Sequence, residues 1–331
     1  MPVFVRSFLV LFASLFAVCA NATADNGSPW GSNYFPNLPV VTQDGKTLHF
    51  YDDVIKGKLV VVSFIYTSCP DICPLITARL AMVKDQLGSA MGRDVFFVSI
   101  TVDPENDTPE RLKAFADAFN TGPGWLFLTG KPEDIRAINS KFGNRSSLKS
   151  DHRNEIILGN DVNGDWQRDS PFGSIASIVA NIRGMSPKLM AQNPSVSASG
   201  NSDPIAITQN PGETLFRKIC TPCHTVGLGN RVGPDLRDVT NRRSQEWLSA
   251  FIISPGKVRR SGDPIALELN KEFPGVKMPE LGLSADDAQD LISFLKAATD
   301  RLDARKESAP AIQQHDHMAH SHDQSKMAPA N

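Results

Sequence analysis

The sequence predicts two domains of different class, an α/β domain over residues 25–186 and a small all-α domain over residues 210–302. In the first stretch, buried-type β runs alternate with helix-start signals and end in a hairpin. The second stretch contains no convincing strand. Between them, residues 187–209 are rich in Ser, Asn, Pro and Ala, the composition of a flexible linker. A chain of 331 residues has room for about two domains of roughly 150 residues each.

Residues 25–50 read as an irregular lead-in with Pro29, Pro36 and Pro39. Residues 58–66 (KLVVVSFIY) form the first buried strand. A turn over 67–72 leads to a helix starting at Pro74, since proline suits the first helical position. Residues 95–102 (VFFVSITV) form a second strand. Thr108, Pro109 and Glu110 open a helix with Leu112, Phe115, Ala116 and Phe119 on one face. Residues 125–128 make a third strand, and 131–142 a third helix. Segments 155–158 and 165–168 bracket Asn163-Gly164, a hairpin signal, and 172–182 form the last helix. This order predicts a three-layer, thioredoxin-like sheet. In the second domain, helices are expected over 211–221, 244–253 and 284–299, the first capped by Asn210 with Pro211 behind it. So small an all-α core calls for a staple.

Lys and Arg number 34 against 36 Asp and Glu, a net charge of -2, which lacks the basic footprint of a nucleic-acid binder. No apolar run of spanning length lies beyond the extreme N-terminus, which excludes a multi-span membrane protein, and no repeat is visible. Residues 1–24 read as a signal peptide: Arg6, an apolar run over 8–20, then the A-x-A site Ala22-Thr23-Ala24. Cleavage removes Cys19 and gives a periplasmic protein; an uncleaved segment anchored in the inner membrane is the alternative. Four cysteines remain, as two pairs, Cys69/Cys73 and Cys220/Cys223. In an oxidising compartment each pair needs its own explanation.

Cys220-Thr-Pro-Cys223-His224 is C-x-x-C-H, the pattern of covalent haem c attachment. Both thiols add to one porphyrin while the histidine reaches the iron. The competing readings are a C-x-x-C disulfide and half a zinc site, and no second cysteine pair exists here for zinc. With Gly233-Pro234-Asp235-Leu236 and Met278-Pro279, residues 210–302 resemble class I cytochrome c. The resemblance implies one haem, with His224 as proximal and Met278 as distal iron ligand. No other methionine lies between Met190 and Met318. A Met/His pair raises the potential and suits electron transfer.

Cys69 and Cys73 stand as C-x3-C between a buried strand and a helix. Cys73 falls just before the helix N-terminus, where partial positive charge favours thiolate. Two thiolates make a soft copper site, or a redox pair. YTSCPDICP (66–74), SITVDPENDTPERL (99–112), Asp151-His152 and the helix ending NIR (181–183) resemble the SCO/SenC family. The resemblance implies a thioredoxin-like fold and a copper chaperone with Cys69, Cys73 and His152 as ligands. It also implies a role in assembling the copper A centre of cytochrome c oxidase, with the oxidase's copper-bearing subunit or another cuproprotein as partner. A structural disulfide, a thiol–disulfide oxidoreductase without copper, and a peroxiredoxin are the competing readings. His49 reads as a surface strand residue.

Residues 303–331 read as a disordered tail holding His315, His317, Met318, His320 and His322, a composition suited to capturing copper or simply to solvation. Residues 225–262 carry seven basic and three acidic side chains, and 278–300 five acidic and one basic. That contrast suits docking of a redox partner protein, although solvated helix faces have the same look. Haem iron and copper each move one electron, whereas a disulfide moves two. Oxidoreductase disulfides lie at roughly -120 to -270 mV, so transfer from a high-potential haem to a disulfide runs uphill. The fusion therefore predicts electron exchange between haem and copper, with dithiol–haem exchange as the enzymatic alternative.

Overall fold

The computed structural model describes residues 30–70, 72–145, 154–191, 210–274 and 276–308. Among these, the first domain holds strands β1 (Pro39–Thr42), β2 (Thr47–His49), β3 (Leu59–Ile65), β4 (Val95–Thr101), β5 (Trp125–Thr129), β6 (Ile156–Asn160) and β7 (Asp165–Asp169). They form one mixed sheet in the order β2-β1-β5-β4-β3-β6-β7. β3, β4 and β5 run parallel, while β1 and β6 flank them antiparallel.

Helices α1 (Ile72–Leu87), α2 (Pro109–Ala118), α4 (Ile175–Gly184) and α5 (Pro187–Ala191) contribute to the core on one face, and α3 (Pro132–Lys141) to the core on the other. β3 is buried along its whole length because both its faces are covered. Leu59, Val61 and Ile65 join the core beneath α1, α2 and α4, and the alternating Val60, Val62 and Phe64 join the core beneath α3 and the π-helical turn Phe50–Ile55. This is the thioredoxin-like, three-layer class that the sequence predicts.

Three differences stand out. The lead-in is not irregular throughout: β1 and β2 form a hairpin around Asp44-Gly45, with Gly45 at φ 77°, and β1 then adds to β5. Strands this short offer too few residues for alternation to show, although Asp-Gly is a hairpin signal. Helix α1 begins at Ile72, which places Cys73 inside its first turn. Helix α5 falls within the expected linker, its Leu189 buried in the first core.

The second domain comprises α6 (Pro211–Leu215), α7 (Val239–Arg242), α8 (Gln245–Ile253), α9 (Pro255–Arg260), α10 (Pro264–Glu272) and α11 (Ala285–Ser308), with no strand among the described residues. The expected helix over 211–221 is α6 followed by a π-helical turn, Phe216–Cys220, which delivers Cys220 at its end. α9 and α10 each open on a proline, Pro255 and Pro264, signals the sequence carried but which short helices leave weak. α11 runs on into the segment expected to be tail. It crosses α6 at Gly212, where a Cβ would lie 2.0 Å from the Asp290 carbonyl oxygen, and the Phe216 and Phe294 rings meet at 5.1 Å. The buried cluster there is small: Phe216, Leu291, Phe294, Leu295 and Ala298.

Candidate functional site

The first site is the turn between β3 and α1. Asp107, fully buried beyond the end of β4, holds it: its carboxylate accepts from the Thr67 backbone N–H at 3.2 Å, from Thr67 Oγ1 at 2.6 Å and from Thr101 Oγ1 at 2.5 Å. The Cys69 N–H donates to the Tyr66 carbonyl at 3.1 Å, closing the turn. Cys69 is 8% exposed and Cys73 is fully buried, and the two sulfurs are unbridged.

The pair is asymmetric. The Cys73 N–H donates to Cys69 Sγ at 3.4 Å, so the helix-start dipole serves Cys69. The neighbouring Cys69 sulfur, first, and then burial push the Cys73 thiol far above its ordinary range. The expectation of a Cys73 thiolate is therefore corrected: a residue inside the first turn points its sulfur into the core, and the terminus favours its partner.

His152 lies outside the described residues, as do His315, His317, Met318, His320 and His322. Among the described residues, no group of three or more His, Cys, Asp or Glu side chains is placed to hold a metal. His49 sits exposed on β2, paired with Asp53 at 3.8 Å. Four strand spacings, about 19 Å, separate it from β3.

The second site is an apolar cleft in the all-α domain, whose lining includes Cys220, Cys223, His224 and Met278. The structure brings all four predicted residues to one cavity. His224 is held on both sides. Its Nδ1 lies 2.9 Å from the Pro234 carbonyl, and Gly233 packs against the ring, where a Cβ would lie 2.6 Å from Cε1. With Nδ1–H donating to that carbonyl, Nε2 keeps its lone pair for a metal. Burial holds the imidazole below its usual range, so it stays neutral.

Burial likewise pushes the Cys220 and Cys223 thiols up to about 12. The Arg259 guanidinium, also in the lining, donates to the Met278 carbonyl at 3.2 Å. Asp235 folds the intervening loop by accepting from the N–H groups of Gly227 (2.8 Å), Gly229 (2.6 Å) and Arg237 (2.8 Å). Burial opposes its ionisation, but these donors outweigh it and hold Asp235 below the usual carboxylate range.

The donor set and the cleft fit a haem. A neutral imidazole and a thioether share an apolar cavity whose lining also includes Arg242 and Arg243. Trp247 also lines it, and its Nε1 is buried with no partner among the described residues, a donor suited to an anionic substituent.

Sequence reasoning missed Asp107, Thr67, Gly233 and the Pro234 carbonyl as supports of the two sites. Asp107 and Gly233 lie in the quoted motifs, but a carboxylate that braces a neighbouring turn, or a glycine that seats a ring, shows itself only in three dimensions.

The fold and sites define a thioredoxin-like dithiol domain joined to a helical cytochrome c domain. Two family models match within the chain: SCO1/SenC over residues 35–160 and cytochrome c over residues 209–299. The SCO1 protein homolog of Bacillus subtilis is 40% identical over 89 residues, 27% of this chain and 45% of that one. A putative copper-binding protein of Stutzerimonas stutzeri is 31% identical over 108 residues, 33% of this chain and 51% of that one. Among solved structures, BsSco, described as a member of the Sco family of cytochrome c oxidase assembly proteins, shares 27% identity with a TM-score of 0.39, covering 46% of this chain and 93% of that one. The chain spans about half the length of the first curated relatives it matches. Residues 35–160 thus match SCO1/SenC and residues 209–299 match cytochrome c, and a cytochrome c domain implies haem.

Proposed function

We propose that this chain is an exported, periplasmic copper metallochaperone of SCO type with a fused electron-transfer cytochrome c. Cys69, Cys73 and His152 hold copper as cargo. Cys220 and Cys223 attach a single haem covalently, with His224 and Met278 as its axial ligands. The partner is an oxidase subunit bearing the copper A centre, or another cuproprotein, which receives copper or is kept reduced. The observation that carries the reading is the buried, unbridged Cys69/Cys73 pair braced by Asp107 inside an SCO1/SenC domain. Two soft sulfurs in a nearly dry turn suit Cu(I), and a third nitrogen ligand admits Cu(II).

When bound, the haem supplies one-electron transfer. The chain's own residues prepare that site: Pro234 and Gly233 set the His224 ring, Arg259 braces the Met278 backbone, and the apolar lining excludes water.

Anaerobic Cu(I) titration of the mature reduced protein lacking residues 303–331 tests the copper site. One tightly bound copper is expected, lost in Cys69→Ser, with Cu(II) retention also lost in His152→Ala. Weak copper binding unaffected by either change would refute it. The asymmetry of the two thiols favours a second reading, dithiol–disulfide exchange with Cys69 attacking and Cys73 resolving. Function retained without copper but dependent on both cysteines would select it.

A further inference from the structure

The two domains touch at their functional sites. The Glu280 N–H donates to the Pro70 carbonyl at 3.3 Å, which ties the residue next to Cys69 to a residue two beyond Met278. On the other side of the contact, Arg79 of α1 donates to the Lys218 carbonyl at 3.3 Å, two residues before Cys220, while the same guanidinium holds the Pro171 carbonyl at 2.5 Å. Between these ties, Cys223, Val232 and Val276 pack against the buried cluster that contains Cys69 and Cys73. Those three side chains also line the cleft that holds His224 and Met278. One thin wall therefore has the dithiol core on one side and the haem cleft on the other.

We propose that the face of the cytochrome domain formed by Val232, Val276 and Glu280 is a docking surface for the dithiol turn of the same chain. The docked face shields Cys69 from solvent and sets the haem cleft beside it, so any outside protein that exchanges copper or electrons with Cys69 must first displace the cytochrome domain. The surface suits this occupant. The contact is apolar at its centre, and both ties use backbone carbonyls, which need no matching side chain on the other partner. The inference builds on the reading of Cys69 as the working thiol, but its test uses no copper.

The test is alkylation of Cys69 by iodoacetamide in the haem-loaded, anaerobically reduced full chain, read by peptide mass spectrometry. Glu280→Pro removes the donor to Pro70, whereas Glu280→Ala keeps that N–H and loses only the side chain, which otherwise accepts from the Gly256 N–H at 3.0 Å. Cys69 is expected to react about tenfold faster or more in Glu280→Pro than in the wild type, with Glu280→Ala close to wild type. Val232→Asp, which places a charge at the centre of the contact, is expected to match Glu280→Pro.

Equal rates in all four proteins would overturn the proposal. Should either disruptive variant lose its haem spectrum, hydrogen exchange of the wild type decides. The Glu280 amide and the turn over 66–69 are expected to be protected, and exchange of both at the rate of open chain would overturn docking. A chain that fails to bind copper yet shows these differences would refute the chaperone reading and leave the docking surface standing.

Discussion

Gly233→Ala isolates the support of His224, the histidine lining the cleft. The added Cβ would lie 2.6 Å from His224 Cε1, 3.1 Å from Nδ1 and 3.3 Å from Nε2, all inside ordinary contact, which begins near 3.4 Å. Neither side yields easily. The Gly233 N–H donates to the Cys223 carbonyl at 2.9 Å, and the His224 N–H donates to the Cys220 carbonyl at 2.9 Å, so both backbones are tied. The ring must rotate, which breaks the contact of Nδ1 with Pro234 and forces an unfavourable rotamer. The hydrogen bond contributes about 0.5–1.5 kcal/mol and the rotamer costs about the same again, so a loss of about 1–3 kcal/mol is expected. Guanidinium unfolding of the haem-loaded protein, followed by haem absorbance, measures it, and the ferric spectrum reports axial ligation. Gly184→Ala is the control, since nothing lies within 4 Å of a Cβ there. Stability within about 0.5 kcal/mol of wild type and an unchanged ferric spectrum would show that Gly233 does not seat His224.

Gly212→Ala forces apart the crossing of α6 and α11, where the new Cβ meets backbone at 2.0 Å. The cytochrome domain should lose at least about 2 kcal/mol in chemical unfolding while the α/β domain's own transition stays put. Asp107→Ala leaves three donors without their acceptor, two on Thr67 of the dithiol turn and one on Thr101 at the end of β4. We expect about 2–4 kcal/mol of destabilisation by urea unfolding and faster amide exchange over 66–70, with Asp107→Asn recovering part of both. Asp235 has a folded pKa depressed below its unfolded value near 3.9, so its contribution is complete above about pH 5 and fades as pH falls through the folded pKa. Acid titration of cytochrome-domain stability should show this loss, and Asp235→Asn should flatten it.

The first domain was legible where apolar runs are long. β3, β4 and β5 are long apolar runs, and Thr108 before Pro109 marks the helix after β4, so their order followed from local signals; the sequence places the last helix from 172, whereas Ser174 caps it and it begins at Ile175. The β1–β2 hairpin was not legible, because three or four residues cannot establish a period and β1 owes its place to pairing with β5. The C-x-x-C-H spacing was enough to single out Cys220, Cys223 and His224, which line one cleft, because the three are neighbours along the chain. The Cys73 thiol went the other way. A position at a helix start suggests thiolate, but the value is set by Cys69 and by burial, both of which depend on where the turn packs. The contact between domains is longer-range still, since Pro70 and Glu280 are joined only by folding.

That contact bears on which chemistry the dithiol performs. Oxidising Cys69 and Cys73 to a disulfide removes two electrons and releases two protons, and the neighbouring Cys69 sulfur, then burial, hold the proton on Cys73. A single haem accepts one electron, so the first transfer would leave a sulfur radical beside the cleft until a second acceptor arrived. Copper held by the same sulfurs, as proposed, would change between Cu(II) and Cu(I) by one electron, which a haem could supply or accept with no sulfur–sulfur bond formed. A haem cleft sharing a wall with the dithiol core therefore suits the copper reading better than dithiol exchange. It also supplies the discriminating measurement. With the haem prereduced and Cu(II) loaded on the protein, haem oxidation should proceed at a rate independent of protein concentration, and it should slow in Glu280→Pro. Haem that stays reduced over seconds would remove the reason for placing the two sites side by side.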